Sequence, residues 1–262
     1  MPGRLVRATS LVLYLVAAWT AAAANDRVHP EDAAWLQLWP EREAELNAWK
    51  ALKPEEIPDE VKVKAMEWLE KDVQVARRHL ARTQQGLGEA YGDYYIELVL
   101  FITRLKDRRS IPVLAEVMDV APRVSTTLAE FGDEAVPAVT RKLDDQYLSS
   151  DAAFTLGTFV RGRAIGKSPI GASTVLEIRD TLLKTLEHRS FVTRKAAVNA
   201  LEYLGPDPKV FAALQHVART DPYVRSIPAG KRNPAIARDY PVRRAAAAVL
   251  EKLEKPARER TP

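Results

Sequence analysis

The sequence predicts an all-α fold, an alpha-alpha superhelix with an N-terminal helical cap. Three observations lead there. Apolar residues recur at three- and four-residue spacings along most of the chain, no stretch sustains the alternation of a half-buried strand, and one two-helix unit recurs after residue 107. At 262 residues, 47% hydrophobic and 28% charged, the chain suits one large domain or two small ones and is too apolar to stay unfolded. It has no Cys, which excludes a disulfide framework, a thiolate metal site, a cysteine nucleophile and a lipid-modified cysteine.

Residues 1–24 have the form of an export signal. Arg4 and Arg7 give a positive start, Ala8 to Ala24 is a run of 17 residues without charge, and Ala22, Ala23 and Ala24 are the small residues a signal peptidase accepts. The run is shorter than a membrane span of about 20 residues and is followed at once by Asn25 and Asp26. Cleavage near Ala24 is the first expectation and retention as an anchor the alternative. Either way the rest of the chain is expected outside the cytoplasm, periplasmic or secreted, with no membrane span after cleavage.

Residues 25–92 read as the helical cap. Pro30 followed by Glu31 and Asp32 suits a first helical turn, where a missing N–H costs nothing and acidic groups face the positive end of the dipole. A longer helix is expected from near Pro58, with Val61, Ala65, Trp68, Leu69, Val73, Ala76 and Leu80 on one stripe and Gly86 and Gly88 ending it. The next helix buries Tyr95, Leu98, Val99, Ile102 and Leu105. A repeat domain over 93–255 and an unstructured tail over 256–262 complete the expected organisation.

The repeating unit is a short helix with Pro in or near its first turn, an acidic turn, and a second helix rich in Ala. Ser110 to Asp119 pairs with Pro122 to Phe131, and Asp133 to Asp145, with Asp133 as the expected cap, pairs with Ser150 to Val160. Ser173 to Glu187 pairs with Phe191 to Leu204, and Pro208 to Arg219 is completed only by Pro241 to Leu253. Two second helices superpose directly: Arg194-Lys195-Ala196-Ala197 through Leu201 lies against Arg243-Arg244-Ala245-Ala246 through Leu250. Small Ala faces let helix axes approach closely, so Ala196, Ala197, Ala245 and Ala246 are expected at helix contacts.

The stretch Asp133-Glu134-Ala135-Val136-Pro137-Ala138-Val139, with the recurring basic pair, Ala pair and Leu, resembles HEAT repeats of the short type also found in phycobilisome-lyase-like proteins. The resemblance covers about residues 107–255. It implies an α-solenoid, and because such proteins are mostly scaffolds that bind proteins, with minorities that handle tetrapyrroles or damaged bases, it implies protein binding before any chemistry.

Two departures from the repeat spacing carry the candidate binding residues. One inserted loop, Arg161 to Ala172, holds Arg161, Arg163 and Lys167; the other, Ser226 to Asp239, interrupts the last pair and brings Lys231 and Arg232 together with Arg225 and Arg238. Residues 26–90 carry net charge −4 and residues 91–262 carry +6, a modest excess that reads as a solvated surface and not a nucleic-acid footprint, and the basic loops are either solvated or a surface for an acidic protein partner.

Signals of catalysis are thin. His29, His79, His188 and His216 lie 50, 109 and 28 residues apart, so no pair has the one-turn spacing of a helical metal site. The acidic runs Glu41, Glu43, Glu45 and Glu55, Glu56 read as helix starts and linkers rather than paired acid and base. No metal, cofactor or enzymatic activity is expected. Trp35, Trp39, Trp49 and Trp68 all lie in the cap, either sealing the end of the repeat stack or forming a platform for a glycan or small ligand. The leading expectation is an exported, non-catalytic scaffold; the alternative is an envelope glycan- or small-ligand-binding module.

Overall fold

The computed structural model describes residues 30–83, 92–227 and 237–255. The expected export signal, the expected tail, Gly86 and Gly88, expected to end a helix, and the candidates Lys231 and Arg232 lie outside the described residues. The fold is all-α, with twelve α-helices and one two-stranded hairpin among those residues. They divide into two compact units, one ending at Leu105 and the other beginning at Lys106.

The first unit holds α1 (Pro30–Gln37), α2 (Trp39–Lys50), α3 (Asp59–Thr83) and α4 (Gly92–Leu105). The sequence places α4 at the start of the repeats, yet it belongs to this unit, because its buried face of Tyr95, Leu98, Val99 and Ile102 packs on α2 and α3. Of the predicted stripe of α3, Ala65, Trp68, Leu69, Val73 and Ala76 are buried and Val61 is half-buried, while the Leu80 side chain lies outside the described residues. Arg104 closes the corner by donating to the carbonyls of Lys50 (3.1 Å) and Leu52 (3.3 Å), which lie at and just beyond the C-terminus of α2 and lack helical partners.

The second unit holds α5 (Ile111–Ala115), α6 (Pro122–Glu130), α7 (Val136–Thr140), α8 (Ser149–Ala164), α9 (Ala172–Thr185), α10 (Phe191–Leu201), α11 (Pro208–Thr220) and α12 (Pro241–Glu254). Four sequential pairs pack together, α5 with α6, α7 with α8, α9 with α10 and α11 with α12. The second helices also touch in succession, α6 on α8, α8 on α10 and α10 on α12. Leu128, Leu156 and Leu201, one on each of the successive second helices α6, α8 and α10, are all completely buried. Each such side chain contributes about 1.5–3 kcal/mol of burial.

Two devices hold that row close. Buried hydroxyls pair between neighbours, Ser125 with Thr155 from α6 to α8 and Ser149 with Thr193 from α8 to α10, each at 2.8 Å. Gly157 of α8 faces Ala200 of α10 so closely that a Cβ would lie 2.8 Å from the Ala200 Cβ, so only glycine permits this approach. Ala197 and Ala246 are fully buried, as the superposition requires, whereas Ala196 and Ala245 are half-buried. Leu250, on the last helix of the row, is also half-buried.

Four expectations need correction. The helix expected over Asp133–Asp145 is three short pieces, a 3-10 turn Gly132–Ala135, α7, and a second 3-10 turn Arg141–Asp144. Pro137 has no N–H to continue an earlier turn, so the α-helix begins only around it. Asp133 is not a cap: its carboxylate reaches 38 residues along the chain to accept from the Gly171 backbone N–H at 2.9 Å. α8 runs on to Ala164, so Arg161 and Arg163 belong to its last turn and not to a loop. The interruption after Arg225 opens and closes as paired strands, β1 (Arg225–Ile227) and β2 (Ala237–Asp239), antiparallel with Arg225 opposite Asp239.

Candidate functional site

The seven residues between α8 and α9 do not behave as a loose connection. Gly166 turns the chain at φ +70°, a left-handed conformation that other residues enter at a cost, and Lys167 then donates its backbone N–H to the Gly162 carbonyl at 2.7 Å. Ser168, itself buried, donates to the Ala129 carbonyl of α6 at 2.7 Å. Pro169 packs against Gly132, whose φ of +71° and whose missing Cβ, which would sit 2.8 Å from Pro169 Cγ, both require glycine. Asp133 holds Gly171 and also accepts from the Thr174 hydroxyl; these hydrogen bonds, the one from Thr174 first, keep its carboxyl below the ordinary range. The segment is thus strapped onto α6 and the turn that follows it.

That strap delivers Lys167 to a cleft of about 590 Å³ lined by Lys106, Arg108, Arg123, Thr126, Thr127, Glu130, Phe131 and Lys167. Four cations face it. Lys106 pairs with Glu130 at 2.8 Å and Arg108 with Glu134 at 2.7 Å. Arg123 and Lys167 are exposed and, among the described residues, have no carboxylate within 4.0 Å. Thr127 is completely buried in the floor and its hydroxyl has no hydrogen-bond partner.

The other candidates sit apart from this cleft. Arg163 donates to the Ile170 carbonyl and so helps tie down the strap, while Arg161 lies over the Tyr203 ring, 5.7 Å from its centroid. Arg225 is bound across the hairpin to Asp239 at 2.8 Å, and the same carboxylate takes Arg244 of α12 at 2.7 Å. Arg238 is exposed. Sequence reasoning passed over Lys106, Arg108 and Arg123 because they lie at helix boundaries, Lys106 just after α4 and the other two at helix starts, and not in the long loops. The available signal was their position, since Arg108 and Arg123 each stand at the opening of a half-repeat, where side chains of adjacent pairs converge.

The Trp residues are built inward. Trp49 and Trp68 are buried and stacked, with centroids 4.9 Å apart. Trp35 and Trp39 are half-buried, and both indole N–H groups donate to one oxygen of Asp72, at 2.6 and 3.2 Å. Asp72 is inaccessible to solvent, and burial pushes its carboxyl up to about 6 against the opposing effect of those indoles and of Arg42. The Arg42 guanidinium lies 3.3 Å from the Trp35 centroid and 3.7 Å from Asp72. Burial likewise holds the Tyr94 phenol above its ordinary value.

Among the described residues no group of three or more His, Asp or Glu is placed to hold a metal, and no helix is long and apolar enough to cross a membrane. No protein-family model and no curated protein matches the chain.

Proposed function

We propose that this chain is an exported, non-catalytic helical-repeat scaffold of the HEAT type that binds an acidic protein partner through the surface of residues 106–255. The observation that carries the reading is the row of second helices α6, α8, α10 and α12, each in contact with the next, with cationic side chains presented between neighbouring pairs. Stacked helix pairs offer a long, rigid surface, the general use of such architectures. The inward packing of the indoles, with their N–H groups on Asp72, weighs against the alternative of a glycan platform.

Two measurements test it. Fractionation of the native cell followed by N-terminal sequencing should find the protein outside the cytoplasm, starting near Asn25. A photocrosslinker at Lys167 should capture one defined protein, and the same group at Glu177, exposed on α9, should not. A cytoplasmic protein with an intact N-terminus would overturn the export reading, and equal, diffuse crosslinking at both positions would overturn the scaffold reading.

A further inference from the structure

We propose that the cleft between α6 and the strap is a docking site for an acidic peptide segment, whose separate carboxylates pair with Arg123 and Lys167. This rests on the scaffold reading and names the chemistry by which the partner is held.

The charge arrangement selects the ligand. Of the four cations, Lys106 and Arg108 are already balanced by Glu130 and Glu134, which leaves a net surplus on Arg123 and Lys167. These two come from different elements, α6 and the strap, so they can take two monoanions rather than one compact group. With Lys106 and Arg108 neutralised in their ion pairs, a compact dianion such as phosphate beside either Arg123 or Lys167 finds no second free cation on the same element. At about 590 Å³ the space exceeds what a single inorganic ion would fill and lies in the range of sites that hold several side chains or an organic ligand.

The site is also set before any ligand arrives. Lys167 follows a left-handed glycine and precedes Ser168, which is anchored to Ala129, and Pro169, which is seated on Gly132. Little backbone freedom remains to be lost on binding, and that loss is the usual cost of using a loop. The Phe131 ring supplies an apolar wall, and the unpartnered Thr127 hydroxyl leaves polar capacity in the floor.

The test uses the full chain and a short fluorescein-labelled peptide of alternating glutamate and glycine, read by fluorescence anisotropy. Affinity should fall at least about tenfold in Arg123→Glu and in Lys167→Glu and remain near that of the parent in Arg219→Glu, a reversal of an exposed cation at the end of α11. It should also weaken several-fold between low and physiological salt, as expected for exposed charges. A glutamine version of the peptide should not bind, and inorganic phosphate should not compete at matched concentration. Equal loss in Arg219→Glu would mean only net charge matters, and competition by phosphate would make the cleft a simple anion site; either overturns the proposal. Because Arg123 and Lys167 are exposed, the reversals are expected to fold, which circular dichroism checks. If crosslinking at Lys167 captures a partner that Arg123→Glu and Lys167→Glu still bind, the scaffold reading stands and the cleft proposal falls.

Discussion

Removing Arg194 should destabilise the second unit more than any other single charge removal described here. Arg194 of α10 and Asp221, just beyond α11, are both almost completely shielded, with side-chain exposures of 10% and 3%. The guanidinium donates twice to the carboxylate, Nε to Oδ2 at 2.6 Å and Nη2 to Oδ1 at 3.1 Å. Its remaining nitrogen donates to the carbonyls of His188 at 2.8 Å and Arg189 at 3.1 Å, which close the turn before α10. Asp221 in turn accepts from the Tyr223 N–H, and its own carbonyl takes the Arg243 guanidinium of α12 at 2.7 Å. One ion pair therefore joins α10, the end of α11 and the start of α12.

Arg194→Met keeps an unbranched apolar stem and deletes the guanidinium, which leaves the buried Asp221 carboxyl with a single N–H donor, that of Tyr223. Breaking a buried pair from one side costs about 3–5 kcal/mol, most of it the cost of the stranded charge. In a unit of this size 1 kcal/mol corresponds to about 2–4 °C, so the melting temperature should drop by about 6–20 °C. Asp221→Asn, which leaves amide and carbonyl acceptors around Arg194, should cost less. The double variant Arg194→Met with Asp221→Asn should lose less than the two singles together, by more than about 1 kcal/mol. Urea titration gives the free energies, and the loss should persist at high salt because the pair is shielded. Additive losses, or a shift below about 2 °C in Arg194→Met, would refute the claim that this pair holds the last helices.

Other consequences can be checked in the same way. Gly157→Ala, Ala197→Leu and Ala246→Leu each press a side chain into a filled helix contact and should cost about 1–3 kcal/mol by urea titration, whereas Ala196→Leu and Ala245→Leu, at half-buried positions, should cost less. Asp72 titrates near 6 in the fold against 3.8 for the free carboxyl, so it favours the folded state fully below pH 3.8, and that contribution, about 3 kcal/mol, is lost as pH rises through 6. Trp fluorescence melts should show it as a pH-dependent difference between the parent and Asp72→Asn, and a difference that stays flat from pH 4 to 8 would refute it. Replacing residues 228–236 by Asn-Gly should leave the melting temperature nearly unchanged, because loop length costs only about 0.6 kcal/mol per doubling. A deletion joining Arg225 to Tyr240 also removes Asp239 and with it the ion pairs to Arg225 and Arg244, and should be the less stable of the two.

Periodicity made the helices legible, and most of the apolar positions it marks are buried, although Val61, Leu105, Ala196 and Ala245 are only half-buried. Ala197 and Ala246 are buried at equivalent contacts, as the superposition of the two helices places them, although the chain matches no family model. What sequence could not show is which polar groups leave their local partners. Asp133 stands where an N-cap would, three residues before a hydrophobic run, yet it bonds a glycine 38 residues away. Arg163 and Arg225 look like free loop cations and are held by a carbonyl and a carboxylate that only the folded chain brings near. Local propensity fixes the helix; the destination of a long polar side chain is a tertiary fact.

The same distinction decides which cations can meet a partner. Loop location was the sequence criterion, because insertions in repeat proteins gather on one face. By that criterion Arg161, Arg163, Lys167, Arg225 and Arg238 are equivalent. Packing separates them, since hydrogen bonds, an aromatic ring or an ion pair occupy Arg161, Arg163 and Arg225, and Lys167 alone of the first loop is carried by the strap into a cleft. Its companion there, Arg123, comes from the ordered start of α6. The glycines and Ser168 that build the strap bear no charge, but they determine where the charge is presented: Gly132 accepts Pro169 only because it has no Cβ, and Gly162 faces Ser168 at a distance a Cβ would reduce to 2.8 Å. A substitution at Gly132 should therefore weaken acidic-peptide binding without touching a cation, as a cleft positioned by packing requires and a diffuse basic surface would not.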